Sequence, residues 1–135
     1  MPNFPLVAAT LMLAVSTPAA AKSPGLTVKS GETWEFALSR GQPVQARKTS
    51  PTAEPRDGRI RVTVRSMMGT TMTIVSNNPR PYTYTAELIG AAKTVPARSC
   101  TLPADGRLSF ENWPQKADAI RLSNFKPAKR EGSCP

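Results

Sequence analysis

The chain has 135 residues, with 18 Lys plus Arg against 9 Asp plus Glu, 2 Cys, 14 Pro and no His, for a formal net charge of +9. Without an imidazole there is no Ser-His-Asp or Cys-His relay, no histidine pH switch and no His-containing metal or haem site. The length suits one domain, and a hydrophobic content of 39% is enough for a modest core.

The first predicted element is a secretory signal peptide over residues 1–21. Residues 6–15 (LVAATLMLAV) are all apolar or small, a run too short for a bilayer, which takes roughly 20 residues. Ser16-Thr17-Pro18 ends it, and Ala19-x-Ala21 offers the small side chains that a signal peptidase requires, so cleavage is expected before Lys22. One feature departs from the usual leader, because the first five residues carry no Lys or Arg. No membrane span is expected in the mature chain. Residues 1–21 contain no charged side chain, so the whole charge surplus belongs to residues 22–135. Those residues are expected to form a single β domain in the periplasm or outside the cell.

Nothing in that domain repeats at helical spacing over three turns, whereas period-two alternation recurs throughout. Residues 26–28 make a short first strand, and Trp34, Phe36 and Leu38 alternate with Thr33, Glu35 and Ala37 in a second. Arg40 to Pro43 reads as a turn, residues 44–48 as an edge strand, and residues 49–58 (TSPTAEPRDG) as a Pro-rich loop. Residues 59–76 can be paired residue by residue. With Met67-Met68-Gly69 as a three-residue hairpin loop and Gly69 supplying the left-handed conformation, Ser66 faces Thr70, Val64 faces Met72, Val62 faces Ile74 and Ile60 faces Ser76. Further strands are expected at 82–89, 99–102, 107–112 and 119–125, with turns at 77–81 and 103–106. The sum is an all-β fold, a single small antiparallel β-sandwich or small barrel of about seven or eight strands with one disulfide. In an exported protein, Cys100 and Cys134 are expected to pair and tie the C-terminal tail to the domain.

The hairpin register puts Arg59, Arg61 and Arg65 on one face, with Thr63, Thr71 and Thr73 between and opposite them. Alternate strand residues lie about 6.8 Å apart, so the guanidiniums form a row some 20 Å long. Such a row suits an extended anion: each guanidinium is a planar fork of donors, and the hydroxyls add hydrogen bonds. The plainer account is a solvated face that keeps the protein soluble.

Other chemistry is less well supported. Met67, Met68 and Met72 crowd one hairpin, and thioethers favour Cu(I). The register sends Met72 to the core and leaves the other two at the tip, so neither metal nor cofactor is expected. Glu32 with Glu35, or Asp105 with Glu111, are the pairs from which acid–base catalysis would be built. Glu35 lies opposite Trp34 and Phe36 and is expected to point to solvent, and Asp105-Gly106 reads as a turn. Gly-x-Ser-x-Gly and the phosphate-binding glycine loop are both missing. No catalytic residue is assigned. Trp34, Tyr82, Tyr84, Phe110 and Trp113 are expected in or beside the core, and Tyr82 with Tyr84 also form a face suited to a sugar.

The expected function is therefore non-catalytic binding in the cell envelope. The Arg and Thr face would meet an anionic envelope polymer or an acidic protein, not nucleic acid. A structural or accessory subunit of an envelope complex is the second reading, and a carboxylate-dependent hydrolase the third.

Overall fold

A computed structural model describes residues 24–130 and 132–134, and the predicted signal peptide lies outside them. Nine strands follow one another: β1 (Leu26–Lys29), β2 (Thr33–Ser39), β3 (Gln42–Lys48), β4 (Ile60–Ser66), β5 (Thr70–Ser76), β6 (Tyr82–Ile89), β7 (Thr94–Ala97), β8 (Leu108–Trp113) and β9 (Ala119–Pro127). They form two antiparallel sheets, one of order β1-β9-β6-β7 and one of order β3-β2-β4-β5-β8. The inner faces meet in a sandwich. Alternation decides what each strand contributes: Val62, Val64, Met72 and Ile74 from the five-stranded sheet pack against Val28, Leu88, Ile120 and Leu122 from the other, all buried. Phe125 links the layers through an edge-on contact with Phe36, centroids 5.7 Å apart, and a stack on Tyr84 at 5.3 Å.

The β4–β5 register is the one the sequence predicts, from Ile60 opposite Ser76 to Ser66 opposite Thr70. Its loop conformation differs, because Met68 as well as Gly69 has positive φ, at 49° and 114°. Gly69 is required there for a second reason: a Cβ would sit 2.3 Å from the Trp113 carbonyl oxygen. The β2–β3 turn is tighter than expected. Arg40 and Gly41, at φ 51° and 77°, make a two-residue loop that returns the chain with Ser39 opposite Gln42.

One expected strand is absent and one strand was not foreseen. Residues 99–102 are not a strand, contributing only a bridge between Leu102 and Tyr82. The outer neighbour of β6 is instead β7, residues TVPA, whose Pro96 and lack of apolar alternation hide it from a pattern reading. The disulfide forms as expected between Cys100 and Cys134. Thr101 N–H donates to the Ser133 carbonyl beside it, so the tail is held against this segment by backbone as well as sulfur. Among the described residues no helix is long and apolar enough to cross a membrane.

Candidate functional site

The outer face of the five-stranded sheet carries the predicted Arg and Thr residues, Arg59, Arg61, Arg65, Thr63, Thr71 and Thr73. Cross-strand partners place Arg47, Glu35, Arg61, Val75 and Leu108 in one row, and Thr33, Thr63, Thr73 and Phe110 in the next. The half built by β3, β2 and β4 carries the charges, whereas the half built by β5 and β8 is uncharged, with Val75, Leu108 and Phe110 set among Thr71, Thr73 and Asn112.

Glu35 organises the cationic half. It does not point to solvent: its side chain is 2% exposed, because residues 49–58 fold back over the sheet. Arg47 donates from Nε to Glu35 Oε1 at 3.2 Å, and Arg56 donates from Nε at 3.0 Å, with its own backbone N–H reaching Oε2 at 3.4 Å. Arg59 Nε stands 3.8 Å from the same oxygen. Burial pushes the Glu35 carboxyl up, but the hydrogen bonds from Arg56 and Arg47 outweigh it and hold the group below its ordinary range. A buried carboxylate with these partners fastens the covering loop.

The predicted arginine row is thus divided in its environment. Arg59 binds the Gln45 side chain at 2.9 Å and its carbonyl at 3.3 Å, and Arg61 donates to the Ala53 carbonyl of the loop. Arg65 alone of the three is exposed. Thr63 shares a 2.9 Å hydrogen bond with Thr33, Thr71 donates to the Arg65 carbonyl at 3.3 Å, and both are buried, while Thr73 is half-buried. The residues that sequence reasoning left out are Arg47 and Arg56, whose side chains are 54% and 55% exposed. Arg47 spends only its Nε on Glu35, so both of its terminal amino groups can receive an anion. Glu54 and Asp57 lie on the same loop and are exposed, with Asp57 accepting from Asn77.

Elsewhere the candidate groups serve the fold. Lys48 caps Glu32 at 2.9 Å and lies over the Trp34 ring. The Lys48 hydrogen bond, then the Lys29 N–H, bring the Glu32 carboxyl down to about 2. Glu111 turns inward to accept from Cys100 N–H at 2.7 Å, and Asp105 sits in a turn with φ 59°. Tyr82 and Tyr84 pack against the core. The Tyr84 hydroxyl is buried without a well-formed hydrogen bond. Burial pushes its pKa up, the Glu111 charge adds to this, and the Ser99 hydroxyl pulls back least. Met72 is in the core, while Met67 and Met68 project from the hairpin tip. Phe110 is not a core residue: it is 60% exposed, and Leu108 beside it 61%.

No protein-family model matches the chain, and neither a curated protein nor a solved structure is significantly similar to it.

Proposed function

We propose that the protein is an exported, non-catalytic binding protein that holds an anionic polymer of the cell envelope on the outer face of its five-stranded sheet. The observation that carries this reading is the Glu35 cluster. One buried carboxylate fixes the Arg47 and Arg56 guanidiniums in place while leaving more than half of each side chain open. An arginine already held in one orientation loses less freedom when it meets a phosphate or carboxylate. Arg65 extends the donor row toward the hairpin tip, and the net charge of +9 attracts polyanions from a distance. The disulfide is in keeping with an oxidising compartment.

The test is binding to polyphosphate and to dextran sulfate as a function of salt, comparing the native protein with Arg47→Gln/Arg65→Gln. That pair leaves Arg56 and Arg59 on Glu35, whereas changing Arg59 and Arg61 would also loosen the loop. Affinity should fall, and the salt dependence should flatten by about one unit of log–log slope per arginine that meets a charge. Unchanged affinity and slope in a folded double variant would sink the proposal.

A further inference from the structure

Where β6 turns into β7 and β8 turns toward β9, one end of the sandwich holds a groove of about 460 Å³. Sites for small ligands run from roughly 300 to 1,000 Å³. The floor of this groove is apolar and belongs to the core: Leu88 and Ala117 are buried, and Val95 packs against the core cluster. Ala91 and Ala92, in the β6–β7 turn, bring only methyl groups to the wall.

Both walls are fixed in advance. The β6–β7 turn is closed by the Gly90 N–H, which donates to the Lys93 carbonyl at 2.9 Å. The other wall, residues 115–117, is pinned by Thr70, whose fully buried hydroxyl donates to the Gln115 carbonyl at 2.8 Å and accepts from the Ala117 N–H at 2.9 Å. The Asp118 N–H then donates to the Ile89 carbonyl at 2.8 Å and ties the two walls together. A ligand therefore meets a formed groove and does not bear the entropy of ordering it.

Charge selects the occupant. Lys93 and Lys116 line the groove, no acidic residue does, and Asp118, next in the chain after Ala117, lies outside the lining. Both lysines are exposed, and among the described residues neither takes part in an ion pair. Lysine lays its apolar stem along such a surface and carries its ammonium out to the water. The groove thus joins a hydrocarbon floor to two uncommitted positive charges. A second copy of this chain, with net charge +9, is repelled by them, and a bare inorganic anion gains nothing from the floor.

We infer that this groove binds one free single-chain anionic amphiphile, an alkyl carboxylate or alkyl phosphate, with its chain on Leu88, Val95 and Ala117 and its head between Lys93 and Lys116. The groove shares no residue with the arginine face, so either can bind without the other.

Titration of the 15N-labelled protein with monomeric decanoate, followed by amide NMR, tests this. Shifts should concentrate in residues 90–93 and 115–117 and fit one site with Kd on the order of 10–100 µM. From hexanoate to octanoate to decanoate, each added pair of methylenes should tighten binding about tenfold, as burial of the chain requires. Decyltrimethylammonium, with the same chain and the opposite charge, should bind the native protein at least about tenfold more weakly. Lys93→Glu/Lys116→Glu should lose about tenfold in decanoate affinity. Lys126→Glu/Lys129→Glu carries the same net charge but alters the far end of β6, where Lys126 pairs with Thr83, and should bind within about twofold of the native chain. The inference is overturned by an absence of shifts up to roughly 1 mM decanoate, or by shifts centred on the arginine face instead. Equal affinity in the two double variants, equal affinity for the cationic amphiphile, or binding to anionic vesicles without binding to free decanoate overturns it as well.

Discussion

At the scale of single residues, the two instructive positions are those where local preference and tertiary context disagree. Met68 adopts φ 49° although its side chain is fully exposed and gains nothing from packing. The left-handed region costs a non-glycine residue about 1–2 kcal/mol. Replacing Met68 with Gly should therefore stabilise the fold by about 0.5–1 kcal/mol, part of the gain being lost to the freer unfolded chain. A thermal melt showing no increase would mean that the Met side chain makes a contact worth as much. Glu35 is the reverse case, a charged residue buried because guanidiniums come to it. Glu35→Gln should lower stability by about 1–2 kcal/mol, since it leaves the arginines facing a weaker acceptor. The figure sits at the low end because Arg47 and Arg56 remain screened by water. Chemical denaturation measures it, and protease sensitivity within residues 49–58 should rise in parallel.

At the scale of elements, the β4–β5 register was legible, though not the conformation of its loop, because unbroken alternation on both sides of a short Gly-containing loop leaves one register that buries Val64, Met72 and their neighbours together. The burial of Glu35 was not legible. It depends on where residues 49–58 lie, and a Pro-rich polar segment has no period from which to infer a path. Alternation in β8 was ambiguous in a different way: Leu108 and Phe110 share one face, Glu111 and Trp113 the other, and both faces carry a large apolar residue. Trp113 won the interior, where its indole N–H donates to the Arg98 carbonyl at 2.9 Å. The candidate site was half legible for the same reasons. Arg59, Arg61 and Arg65 follow from the hairpin, while Arg47 and Arg56 belong to a bulged edge and a loop. The disulfide closes a loop of sequence separation 34. Its reduction should cost about 4 kcal/mol by loop entropy. Denaturation with and without reductant checks this, and a loss below 1 kcal/mol would show that the tail is held mainly by its other contacts.

For the whole molecule, the carboxylates set the response to acid. Glu32 titrates near 2 and Glu35 below its ordinary 4.5. Both pKa values are lower folded than unfolded, so their stabilisation is complete above the unfolded value and is lost as pH falls through the folded ones. Stability should hold down to about pH 5 and then decline toward pH 2. Glu32→Gln/Glu35→Gln should start less stable at neutral pH and show a shallower decline, and an equally steep one would place the acid sensitivity elsewhere. Over the same range the protein gains positive charge, which adds self-repulsion.

The position of β9 governs when this protein can become itself. The last of the nine strands is not an edge but the centre of its sheet, hydrogen-bonded to β1 on one side and β6 on the other. The other sheet assembles from neighbours, β2 through β5 in succession, with only β8 arriving from further along. A chain emerging from its N-terminus can thus form the β2–β5 hairpins early, but their apolar side stays uncovered until residues 119–127 appear. Pairing the first strand with the ninth carries a large loop-closure cost, which puts folding toward the slow, millisecond-to-second end for its size. During that interval the half-built layer is a target for aggregation, and a chaperone that shields it would act on the β2–β5 unit.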